Sequence, residues 1–128
     1  MVGETDLGRL LAGMSPVVRP GRYVFATLDG EVPGLEVLAS VVEPEGRSVV
    51  ISQTDAARLG LTHDFVAGWI TLQVHSALSA IGLTAAVSNA LAEAGISCNV
   101  VAGRHHDHLL VPFERLDEAI AALSALRA

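Results

Sequence analysis

Residues 72–112 constrain the fold more than any other part of this chain. A strand-like run breaks at Gly82, an apolar helical pattern follows, Ser97-Cys98-Asn99-Val100-Val101 returns as a strand, and the chain doubles back through Gly103. Strand, glycine-bearing loop, helix and hairpin, in that order, form the front of a ferredoxin-like βαββαβ unit. The loop Ala80-Ile81-Gly82-Leu83-Thr84 opens the helix. It therefore puts bare backbone amides at a helix N-terminus, a place that binds small anionic groups readily.

A length of 128 residues suits one compact domain or two half-size units sharing a core, and 51% hydrophobic content is ample for burial. The formal net charge of -6, with no basic cluster, argues against a nucleic-acid footprint or an anionic membrane surface. All 8 basic residues are arginine. Without lysine, Schiff-base chemistry and a P-loop lysine are both excluded. Cys98 stands alone, so no intramolecular disulfide can form.

The segment 65–92 carries no Asp, Glu, Lys or Arg, and on charge alone it is long enough for a membrane helix. Its composition argues otherwise: Gln73, His75, Ser76, Ser79, Thr84, Ser88 and Asn89 are scattered through it, Gly68 and Gly82 interrupt it, and its pattern turns from strand-like to helical. A buried strand followed by a core-packed helix explains the run. The chain opens Met1-Val2-Gly3-Glu4-Thr5-Asp6, acidic where a signal peptide is basic, so a cytoplasmic location is expected.

Local signals order the remaining elements. Asp6 is an N-cap for a helix over 7–14, ended by Pro16 and Pro20-Gly21, and the first strand is expected over 22–28. Asp29-Gly30 and Pro33-Gly34 mark a loop, and strands over 36–42 and 48–52 join through Glu43-Pro44-Glu45-Gly46 as a hairpin. Gln53 or Thr54 opens a short helix closed by Gly60, and a strand over 66–74 begins the second half. Leu83, Val87, Leu91 and Ala94 repeat at helical spacing, as do Leu116, Ile120 and Leu123, so both helices should lie on a sheet. The first of these stops at Gly95, and the second takes Glu114, Asp117 and Glu118 early, as the helix dipole favours. The two halves, 1–62 and 63–128, are built alike, which predicts a duplication or fused pair sharing one sheet, though the first half has the poorer crossover.

Three separated motifs then carry a family resemblance: Gly82-Leu83-Thr84-Ala85-Ala86-Val87, then Ala92-Glu93-Ala94-Gly95-Ile96-Ser97-Cys98-Asn99-Val100, then His106-Asp107-His108-Leu109-Leu110-Val111-Pro112 before an acidic-alanine helix. Together they resemble the small stand-alone bacterial proteins built from tandem ACT domains. The likeness is closest over 69–126 and looser over 23–60, where only strand order and the hairpin near Gly46 match. The resemblance implies an α+β fold of ferredoxin-like units whose antiparallel sheets are covered by helices. It also implies an amino acid held between two such units, at the loop after the first strand and the facing second strand. Carried over by position, that assigns Ala80, Ile81, Gly82, Leu83, Thr84, Asn99 and Val100 as ligand-binding. The chemistry agrees, since Gly82 permits close backbone approach, amides near Leu83 and Thr84 supply donors, and Thr84 or Asn99 adds a side-chain contact. Asp29 and Glu31, in the matching loop of the first half, could receive a ligand ammonium.

Histidine offers a rival. His105, His106 and His108 lie together with Asp107, and His106 and His108 share one side of a strand as a two-ligand half-site requires, a third ligand having to come from His75, His63 or a partner chain. Short runs of this kind at a hairpin are commoner as polar surface residues, and the same pair could make an interface sensitive to mild acid. Catalysis has little to stand on, because Cys98 sits on a core strand, no glycine-flanked serine is present, and Ser76, Ser79 and the histidines form a set any chain this size offers by chance. Trp69 reads as a core or interface anchor, and Arg104 as a solvated hairpin residue. The sequence therefore predicts a non-enzymatic, cofactor-free, amino-acid-binding regulatory protein that pairs as a homodimer and signals through a separate protein. An interaction module with a vestigial pocket and a metal-binding protein remain as alternatives.

Overall fold

The computed structural model describes residues 3, 5–74 and 77–127. The chain divides into two compact units along lines other than its sequence halves: Gly21–Ala67 form one, and Met1–Pro20 with Gly68–Ala128 form the other. The break falls inside the first strand, β1 (Ser15–Leu28), which is twice the length expected. Pro16, Pro20 and Gly21 read as terminators in sequence, yet the strand runs through them. Gly21 takes φ +111, a backbone state that glycine reaches without strain, and the unit boundary lies at this residue.

In the unit 21–67, the second part of β1 pairs antiparallel with β3 (Gly46–Ser52), from Tyr23↔Ser52 to Leu28↔Arg47. On the other side of β3 lies β2 (Ala39–Glu43), joined to it by the expected hairpin with Glu43 opposite Gly46. The strand starts three residues later than the apolar pattern suggested, although the Leu38 amide already donates to the Val50 carbonyl at 2.9 Å. Period-two alternation buries Val24, Ala26 and Leu28 with Val49, Ile51 and the helix residue Ala56. That helix, α2 (Gln53–Arg58), begins because the Ser52 hydroxyl accepts the Asp55 amide at 3.0 Å. Between β1 and β2, residues 29–38 contain no helix, so the first half lacks its crossover helix.

The larger unit orders its strands β1-β4-β6-β5, with β4 at Val66–Gln73, β5 at Asn99–Ala102 and β6 at Asp107–Pro112. Residues 15–20 of β1 belong to this unit, and β1 lies beside β4 where a ferredoxin-like unit has its fourth strand. One face is covered by α1 (Leu7–Gly13), α3 (Leu83–Glu93) and α4 (Leu116–Ala125), which close on Ile70, Leu72, Leu109 and Val111. Leu83, Val87 and Leu91 are buried as expected, but Ala94 is exposed because the helix has already ended there. Gly68 is a packing glycine: a Cβ on it would lie 2.4 Å from the Leu116 side chain, so only glycine lets α4 settle this close to β4. The carbonyls ending α3 are met by Arg115, which donates to Ala94 at 3.0 Å while paired with Glu118 at 2.7 Å.

Both halves thus follow a mixed α/β plan with antiparallel pairing and ferredoxin-like units, the expected class. No helix among the described residues is long and apolar enough to cross a membrane.

Candidate functional site

The loop after β4 and the hairpin between β5 and β6 enclose a cavity of about 150 Å³ within the larger unit. From the loop side it is lined by Ala77, Leu78, Ala80, Gly82, Leu83 and Thr84. From the hairpin side come Ala102, Gly103, His106 and Asp107. Four of the seven residues expected from sequence, Ala80, Gly82, Leu83 and Thr84, therefore meet at one place. Ile81, between them, is 85% exposed and points away.

Gly82 sets this geometry. It is the N-cap of α3 with φ +104, a conformation side chains rarely take, and it supplies no side-chain cap. The Ala86 amide closes the first turn on the Gly82 carbonyl at 2.9 Å, so the amides of residues 83–85 have no acceptor inside the helix. Gly82 is also crowded, since a Cβ there would stand 3.0 Å from Leu7 Cδ2 of α1.

Asn99 and Val100 fall elsewhere. The register Asn99↔Leu110 and Val100↔Leu109 puts Val100 toward the core, against which it packs, and leaves Asn99 exposed on the opposite face. The far end of the same strand reaches the cavity instead, through Ala102 opposite Asp107. Asp107 is not among the lining residues expected from sequence, where it stands only in the His106-Asp107-His108 motif and beside the histidines. The period-two signal was present, because Asp107, Leu109 and Val111 share one face and two of them are core. Partial burial raises the Asp107 carboxyl above its ordinary value of 3.8, against the opposing pull of His108 and His106.

His106 and His108 part company. His106 lines the cavity, whereas His108 Nδ1 lies 2.9 Å from Thr71 Oγ1, which also accepts Trp69 Nε1–H at 3.1 Å. The Trp69 and His108 rings tilt together at 5.2 Å, so Trp69 is an anchor on the sheet face away from the helical core. Burial, then His106, holds the His108 imidazole below its usual 6.5, Arg19 adding to this and Asp107 opposing it. Among the described residues no group of three His, Cys, Asp or Glu could hold a metal ion. His75 and Ser76, named above as a third ligand and a chance catalytic residue, lie outside the described residues. Cys98 is half-buried against the core, and burial raises its thiol.

The smaller unit has cavities of its own. Asp29 and Glu31 are exposed and line two open clefts of about 580 and 210 Å³, one shared with Arg47, the other with Val32, Leu59 and Leu61. A further cavity of about 470 Å³ lies between β1, Ser48 and residues 61–64.

Comparison with known proteins agrees with this architecture. An ACT domain model matches residues 2–68, and a second ACT domain model matches residues 64–125. A solved structure from Vibrio cholerae, described as a protein of unknown function and possible transport protein, is 42% identical with TM-score 0.86, covering 95% of this chain and 96% of that one. A protein from Agrobacterium tumefaciens is 20% identical with TM-score 0.67 over 89% of each chain. The regulatory subunit of aspartate kinase from Thermus thermophilus is 9% identical with TM-score 0.65, over 87% of this chain and 95% of that one, a likeness of fold alone. No curated protein matches the chain. With both halves matched and the ferredoxin-like plan in place, the chain belongs to the ACT-domain family and carries two ACT domains in tandem.

Proposed function

We propose that this chain is a non-enzymatic regulatory protein that binds a small amino acid in the cavity between the α3 N-terminus and Asp107. The observation that carries the reading is the pairing of opposite polarities in one small space. Leu83 and Thr84, at the N-terminus of a helix with no side-chain cap, line one side, and Asp107 lines the other. A zwitterion matches both, its carboxylate on the helix amides and its ammonium on Asp107. The volume of about 150 Å³ equals about five waters, which favours the smallest amino acids. ACT domains are typically ligand-binding regulatory modules, and the tandem match supports the same role here.

The ligand acts by population shift. Bound between paired ACT units of a cytoplasmic homodimer, with Asn99 and Val100 of a facing unit as further contacts, it stabilises one arrangement that a separate protein reads. Thermal unfolding against a panel of amino acids tests this. Ligand at about one hundred times its Kd adds ~2.7 kcal/mol, a shift of several degrees, and Asp107→Asn abolishes it. A panel without any shift, or a shift unchanged in Asp107→Asn, overturns the reading.

A further inference from the structure

The open cleft of about 470 Å³ in the unit 21–67, with Phe25, Thr27, Thr62 and Asp64 exposed along it, is built differently and is not used by the reading above. Phe25 and Thr27 of β1, Ser48 of β3, and Thr62, His63 and Asp64 of the segment entering β4 line it. Its volume lies in the range of small-molecule sites.

Three features define what it would hold. First, His63 lines the cavity, and its buried Nδ1 has no hydrogen-bond partner among the described residues, an unmet demand beside the cavity. A ligand N–H there would supply the missing partner to a ring nitrogen that accepts. Second, Ser48 donates its hydroxyl proton to Glu43, so its oxygen has only acceptor capacity left for anything in the cavity. Third, no arginine lines the space, and its one formal charge is the Asp64 carboxylate. Anions are disfavoured and a positive donor group is favoured. Phe25, tilted 33° against Phe65 with ring centroids 6.4 Å apart and itself 37% exposed, adds an aromatic surface suited to a cation or its carbon chain.

We infer that this cavity is a second ligand site that binds a small organic ammonium compound, a primary amine or diamine. Its ammonium lies at Asp64 and the Ser48 oxygen, a further N–H meets His63 Nδ1, and its methylenes lie along Phe25. Unlike the cavity at α3, this one sets no helix amides beside its carboxylate.

The test uses the full chain and 1,4-diaminobutane as probe, with amide chemical shifts recorded during titration. The expected result is saturable shifts confined to the segments 25–27, 48 and 61–64, weakening as salt is raised. Asp64→Asn should weaken binding about fivefold, as loss of one exposed charge pair does, without changing the unliganded melting temperature. Glucose as a neutral polyol and acetate as an anion should shift nothing in these segments. No saturable shift, shifts centred on 77–84 and 102–107, equal affinity in Asp64→Asn, or a preference for glucose or acetate would each overturn the inference.

Discussion

The two units share a plan and differ in the connection after their first strand. In the larger one, Gly82 turns the chain into α3, whose N-terminus has no side-chain cap and shares a cavity with Asp107. In the smaller one, residues 29–38 pass from β1 to β2 with no helix, and the loop displays Asp29 and Glu31. The shared plan thus does not repeat the helix N-terminus that follows β4. A crossover helix brings an electropositive end to this connection, and a connection without one offers no such terminus there.

The comparison can be broken most severely at the cores. Leu91 and Ile51 are both fully buried, one in each unit, and replacing either with alanine should cost about 2–5 kcal/mol. Urea unfolding measures this. A loss below about 1 kcal/mol at either position would deny that the cluster around it holds its unit together.

Next comes ligand linkage. The ~2.7 kcal/mol expected at saturating amino acid should vanish in Asp107→Asn and survive Glu31→Gln, since only the larger unit pairs a carboxylate with helix amides. Unliganded stability sharpens the point. The Asp107 pKa is raised on folding, so the stability it contributes is full below pH 3.8 and is lost as pH rises through its folded value. At neutral pH the charge is a burden on the fold, and Asp107→Asn should melt slightly higher while binding nothing. A lower melting temperature would mean that Asp107 is a structural carboxylate.

Glycine substitution separates strain from crowding. Gly82→Ala meets both a positive φ and Leu7, and should cost about 1–3 kcal/mol, whereas Gly34→Ala in the helix-free loop, with φ +81 and nothing within 4 Å, should cost about 1 kcal/mol. Denaturant midpoints decide it, and equal costs would remove the role of Leu7. For the same reason a bulky residue at Gly82 is a poor test of binding, because it disturbs the fold as well as the cavity.

The smallest effect concerns the sheet face of the larger unit. His108 has a lowered pKa, so its contribution to stability is present above pH 6.5 and is lost as pH falls through its folded value. Trp69 is the only tryptophan and touches this ring, so its fluorescence should change over that interval. His108→Gln should flatten both profiles, and an unchanged fluorescence profile would disconnect the two rings.

Much of this was legible because the signals were local. Asp6 accepts the Arg9 amide at 2.9 Å as an N-cap should, the hairpin turns at 43–46, and Gly95 follows α3 at φ +73. That Gly82 opens the helix beginning at Leu83 was legible because glycine before an apolar helix is a local pattern. Asp107 and the β1 extension were not. Pro16 and Pro20 each lack the amide a strand ladder uses, so they argue locally against a strand that long-range pairing nevertheless forms.

The sequence by itself determined the order of elements, the ferredoxin-like plan and the glycine-opened helix, because caps, turn residues and hydrophobic periods act over a few residues. Tertiary structure alone decided which carboxylate faces that helix, that Asn99 turns away from it, and that residues 15–20 join the unit built from the far end of the chain. Those outcomes depend on strand register and long-range pairing. A one-residue change in register sends every side chain to the other face, and no local pattern records which partner a strand will find.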